Sequence, residues 1–182
     1  MKFPTLFLPF LLIGQMCFGQ TPRQLTAKDS IKIETEIKLS VLKLNDTFTE
    51  KQNEFASELY REFTIDTFKI EERQRLQLDI DYSTTGMVKH TLVAHEEYDK
   101  LLNKYYLKLL NSLNDTDKKT LKKSQRNWVE FRDSEQELNG ALTANYYSGG
   151  GSIQSIFASS RILELTKNRV IELYHYLNRG MN

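Results

Sequence analysis

The stretch at 125–135, QRNWVEFRDSE, puts the chain's one tryptophan on the same helical line as three polar residues. At about 100° per residue, Gln125, Trp128, Arg132 and Glu135 fall at i, i+3, i+7 and i+10, on the side that also carries Leu121 and Leu142. Polar groups therefore sit in an apolar stripe. An arginine and a glutamate turned toward a core are costly unless each meets a partner, so another surface must face this helix and answer them. Candidate partners on neighbouring helices are Asn103, Tyr106, Ser159 and Thr166. If Arg132 is truly buried in such a network, its removal costs about 3–5 kcal/mol.

The rest of the chain carries the same period. Residues 26–44 space Ile33, Ile37, Val41 and Leu44 as a helix, with Thr26 and Asp29 as a capping-box variant, although Ile31, Ile33, Ile37 and Leu39 also allow a strand. A break is expected at Asn45, Asp46 and Thr47. From Glu50 to about Ile80 a long helix carries Phe55, Leu59 and Phe63, with a kink or split expected around Thr64, Ile65, Asp66 and Thr67. Ser83, Thr84, Thr85 and Gly86 stop that helix and cap the next, whose stripe of Met87, Ala94, Tyr98, Leu101, Leu102, Tyr105 and Leu109 is long enough to cross a small domain. Asn114 to Asp117 form a turn and cap, the tryptophan helix runs to about Ala144, and a last helix spans about 153–177 with Ser152 as its cap. The expected fold is all-α, an antiparallel bundle of four to five helices, with no sheet beyond a short piece near Ile31. Its last three helices are antiparallel in sequence order, because their connections are short.

Residues 1–19 read as an export signal: Lys2 gives the positive start, Leu6 to Ile13 the apolar run, and Gly19 the small residue before the cut. The run is too short to span a bilayer. Cys17 then leaves with the signal; the competing reading, a lipoprotein anchor, conflicts with Met16 and Gly14 at the positions a lipobox specifies. The expected location is a periplasm-like space or the exterior. The 25 basic residues include Lys2, so without it the balance against 24 acidic residues is zero. That argues against a nucleic-acid binder, whose basic excess is reduced here to one short patch, Lys118, Lys119, Lys122, Lys123 and Arg126. The mature chain has no cysteine, so stability comes from packing; about 160 residues suffice for a real core. Region 20–81 is expected to be an N-terminal helical part that packs with 82–182 in one unit.

His90 and His95 lie five apart, the wrong spacing for two metal ligands on one helical face. Asp133 and Glu135, two apart on a helix, point to different sides and do not make a catalytic carboxylate pair. Tyr98, Tyr105 and Tyr106 suit a sugar-binding surface less well than core and rim packing. No enzyme activity, cofactor or metal is expected. The most distinctive segment is Tyr146, Tyr147, Ser148, Gly149, Gly150, Gly151 and Ser152, because three ordered glycines imply positive φ or a close backbone approach. Its two tyrosines, open backbone N–H groups and following helix dipole make it the expected partner-binding loop.

The C-terminal half resembles the lysozyme inhibitor LprI family of bacterial envelope proteins over about residues 82–178. The resemblance rests on Met87, Tyr98-Asp99, Leu102-Asn103, Tyr106, Ser124-Gln125, Trp128, Phe131-Arg132-Asp133 and Glu135. Gly150-Gly151-Ser152-Ile153 and Leu165-Thr166 with Arg169 complete the set. Many family members have cysteine where this chain has His90, Gln136 and Arg161, so the resemblance implies a fold held here without those staples. It implies a non-enzymatic envelope protein whose partner is a lysozyme-like hydrolase. Asn103, Tyr106, Gln125, Trp128, Arg132, Asp133, Glu135, Thr166 and Arg169 are then expected to form its structural polar network. The rival expectation is a structural or stress-adaptor protein of the envelope.

Overall fold

Four helix starts carry a side chain that answers orphan backbone donors; at the last helix the expected Ser152 side-chain cap is replaced by its backbone carbonyl, which accepts from Ser155 N–H. Thr26 N–H bonds Asp29 Oδ2 at 2.9 Å while Asp29 N–H returns to Thr26 Oγ1 at 3.3 Å, and Arg23 clasps the same carboxylate. Ser57, Ser83 and Asn114 accept from the first turns that follow them. Between these caps the chain forms α1 (Ala27–Glu50), α2 (Glu58–Ile80), α3 (Thr84–Ser112), α4 (Asp115–Leu142), the single turn α5 (Asn145–Ser148) and α6 (Ile153–Gly180). This computed structural model describes residues 21–50 and 57–180; the expected export signal lies outside them. Among the described residues there is no strand. The fold is an all-α bundle, with five long helices and one short helical turn among the described residues.

Cross-helix pairs fix the directions. Arg73 reaches Glu34 of α1 and Glu97 of α3, Lys108 reaches Glu62 of α2, and Glu135 of α4 meets Arg161 of α6. Successive long helices therefore run antiparallel. A consequence is that α3 and α6, separated by α4 in the chain, run parallel, and they make the most extensive packing in the molecule.

That packing is the centre of the core. Tyr98, Tyr105, Val170, Leu173 and Thr166 are fully buried, with Ala94, Leu101, Leu102, Leu109 and Leu177 around them. Leu59 and Ile70 of α2 and Leu121 of α4 join the same cluster, so α2 shares the core of the C-terminal helices. Phe63 stacks on Tyr174 at 4.0 Å between centroids and meets Tyr105 edge-on at 5.3 Å. Polar ends of buried rings are satisfied from α2: Tyr98 donates to Glu71 and Tyr105 to Asp66. Burial first, then these carboxylates, push both phenols well above their ordinary range.

One open alternative is decided and two local expectations are corrected. The helical spacing wins at 31–39: Ile33 and Ile37 are buried, Ile31 and Leu39 exposed. No break occurs at 45–47; α1 continues, Thr47 bonds its own helix at Lys43 O, and Phe48 is buried against Tyr60 across α2. Nor does α2 split at 64–67, because Thr64 and Thr67 return their hydroxyls to the carbonyls of Tyr60 and Phe63 and Asp66 is held by Lys104.

Candidate functional site

Two neighbourhoods gather the chemistry-bearing residues: the face between α4 and its neighbours, and the turn joining α4 to α6. On the first, Arg169 of α6 is the hub. Its guanidinium is 5% exposed and donates through Nε to Gln125 Oε1 at 3.0 Å, through Nη1 to Glu172 at 2.5 Å and through Nη2 to Ser124 at 3.3 Å. It also lies 5.8 Å from the Trp128 ring, and Arg132 lies 5.4 Å from the same ring. Trp128 is thus a platform for two cations.

Arg132 and Glu135 reach the expected helices but not the expected side chains. Arg132 is 22% exposed, bonds Asp133 beside it at 2.7 and 2.9 Å, and has Asp99 of α3 at 3.9 Å. Glu135 pairs with Arg161 of α6 at 3.0 Å. Asn103 instead donates to Asp99 O within its own helix, Tyr106 lies partly buried against the core, Ser159 bonds the Ile156 carbonyl, and Thr166 is buried with no partner for its hydroxyl. The partners missed in sequence were charged ones, Asp99, Arg161 and Glu172. Only Glu172, three residues after Arg169 on the same helix, had a signal in the sequence; Asp99 and Arg161 depend on how α3 and α6 are rotated against α4.

The second neighbourhood is built by Ser148. Its hydroxyl donates toward the carbonyls of Thr143 and Ala144, each at 3.1 Å, and accepts from Gly150 N–H at 3.1 Å. Gly149, Gly150 and Gly151 have φ of 73°, 81° and 95°, the left-handed region that excludes most side chains. A Cβ on Gly150 would fall 2.7 Å from Asn145 Oδ1. Four of the loop's backbone donors are used locally, Tyr147 and Ser148 N–H on Ala144 O, Gly149 N–H on Asn145 O and Gly150 N–H on Ser148, so the turn is less donor-rich than expected. What it presents is aromatic: Tyr146 is 88% and Tyr147 66% exposed, packed edge to face with centroids 4.9 Å apart.

Beside this turn, sequence reasoning missed a run of exposed apolar side chains. Phe131, Leu138 and Leu142 of α4 are all about half exposed and, at i, i+7 and i+11, share one face; Ile153 and Phe157 are exposed at the start of α6.

His90 is buried with neither ring nitrogen hydrogen-bonded, and Asp81 Oδ2 stands 4.0 Å away. Burial lowers the imidazole's pKa, and Asp81 only partly opposes this. Among the described residues no group of three or more His, Cys, Asp or Glu is placed to hold a metal ion, and no helix is long and apolar enough to cross a membrane.

Fold and site together define a small helical protein whose polar residues tie helices to one another and whose two most exposed aromatic rings among the described residues, Tyr146 and Tyr147, sit on one turn. A model of the family described as lysozyme inhibitor LprI matches residues 80–173, and the chain belongs to that family. It is 30% identical over 107 residues to an uncharacterized protein of Rhizobium meliloti (strain 1021), covering 50% of this chain and 73% of that relative. No solved structure matches.

Proposed function

We propose that this chain is an exported protein of the bacterial envelope that binds and inhibits a lysozyme-like hydrolase through the 146–152 turn. The observation that carries the reading is the exposed Tyr146–Tyr147 pair on a turn held by Ser148, in a chain of an inhibitor family. The tyrosines bring apolar area and hydroxyl donors of the kind that enter a sugar-binding cleft and meet its carboxylates, and the N-terminal end of α6 adds a positive dipole end behind them. Ser148 and the left-handed glycines order the turn before binding, which reduces the entropy lost on docking. With zero net charge expected for the mature chain there is little long-range steering, so affinity is modest and set by contact.

A second reading, a non-enzymatic structural or stress-adaptor protein of the envelope, draws support from the line of Phe131, Leu138 and Leu142, which extends apolar surface along α4 beyond the turn. Titration of the purified mature chain into lysozyme-catalysed cell-wall lysis separates the two. Inhibition predicts a dose-dependent fall in rate. An unchanged rate with folded protein sinks the inhibitor reading for that enzyme.

A further inference from the structure

The polar network has a solvent-facing side that its structural role does not explain. Between α3 and α4 lies a cleft of about 370 Å³ lined by Asn103 and Tyr106 on one wall and by Lys122, Gln125, Arg126, Trp128 and Arg132 on the other. This volume falls in the lower part of the range of small-molecule sites, about 300 to 1,000 Å³. Three cations line it against one carboxylate, Asp99. Lys122 and Arg126 have no ion pair among the described residues; Arg132 spends Nε and Nη2 on Asp133, and its Nη1 stands 3.9 Å from Asp99. The Trp128 ring lies 5.4 Å from the Arg132 guanidinium, which leaves Nη1 of that group as its donor at the cleft. The amides are half used: Gln125 spends its Oε1 on Arg169, leaving Nε2 to donate, and Asn103 spends its Nδ2 on Asp99 O, leaving Oδ1 to accept.

We infer that this α3/α4 cleft is a binding site for a small sugar acid, its carboxylate seated among Lys122, Arg126 and Arg132 and its hydroxyl or acetamido groups on Asn103, Gln125 and Tyr106. Guanidinium forks match carboxylate geometry, and the mixture of an amide donor, an amide acceptor and a phenol suits a polyhydroxylated body better than a bare anion. The site lies away from the 146–152 turn, and the inference does not depend on the inhibitor reading.

Trp128 is the chain's only tryptophan and lines the cleft, so its fluorescence reports occupancy directly. The full mature chain is titrated with N-acetylmuramic acid, with N-acetylglucosamine, which lacks the carboxylate, and with inorganic phosphate. Saturable binding of the acid is expected, at least about tenfold tighter than the neutral sugar and than phosphate. Lys122→Gln with Arg126→Gln should weaken the acid by a similar factor while leaving the unfolding midpoint in place; Lys118→Gln with Lys119→Gln, on the same helix outside the cleft, should leave it unchanged. No saturable response to the acid, or an equal response to the neutral sugar, overturns the site. Phosphate binding as tightly as the acid reduces it to an anion patch and overturns the sugar assignment. Undiminished binding by the Lys122→Gln, Arg126→Gln protein overturns its location.

Discussion

Arg169 rather than Arg132 carries the structural weight of the polar network, because burial decides what a charge costs to lose. Arg169→Ala removes three hydrogen bonds and the cation behind Trp128, so a loss of about 3 kcal/mol or more is expected by denaturant titration. Arg132→Ala, whose partners Asp133 and Asp99 are exposed, should cost no more than about 1 kcal/mol. Equal losses would contradict this ranking. That the polar residues of the tryptophan helix needed partners on neighbouring helices was legible in its sequence; that those partners are charged was not. Which arginine is buried was not, since this depends on how α6 is rotated against α4. His90 gives a second test at this scale. Its folded pKa lies below the ordinary value of about 6.5, so between the two the unfolded chain binds more protons and stability rises with pH. His95 is shifted the same way, also mainly by burial. Stability should be full above about pH 6.5 and fall on acidification through and below it, with a shallower fall in His90→Gln. A variant that keeps the parent's full slope would show that His90 is not the group responsible.

At the scale of the element, two helical glycines should respond in opposite directions. Gly86 opens α3 over Asp81, and an added Cβ would sit 2.3 Å from both that residue's carboxyl carbon and its backbone oxygen. Gly86→Ala therefore forces the α2–α3 junction apart and should lower stability by about 2 kcal/mol or more. Gly140, in α4, has nothing within 4 Å of such a Cβ, so Gly140→Ala should stabilise by about 0.5–1 kcal/mol through helix propensity. Thermal melts of the two variants moving in the same direction would refute the argument. Three helix starts were readable because caps are local: Thr26 with Asp29, Ser83 and Asn114 all act within three residues, whereas α2, expected from Glu50, starts at Glu58. The expected break at 45–47 failed for the opposite reason. Phe48 is anchored by Tyr60, a contact formed only when α1 and α2 fold back on each other.

For the whole molecule, the parallel α3–α6 pair is the spine against which α2 and α4 pack, and α1 rests on α2. Because Leu59, Phe63 and Ile70 complete the core around Tyr98, Tyr105 and Tyr174, a chain starting at residue 82 should lose cooperative unfolding and expose apolar surface. A sharp two-state melt of that fragment would instead make α1 and α2 an appendage. The period of the apolar residues made the all-helical class readable. The exposed line of Phe131, Leu138 and Leu142 was not, because a sequence stripe does not say whether anything covers it. The central claim, that the 146–152 turn meets a lysozyme-like enzyme, is tested most directly by comparing inhibition of cell-wall lysis by the mature parent chain, a Tyr146→Ala, Tyr147→Ala protein and, as a tyrosine control on another junction, Tyr82→Ala. The account predicts inhibition by the parent and Tyr82→Ala and a loss of about tenfold or more in the double variant, at unchanged folding midpoint. Equal inhibition by all three would contradict it.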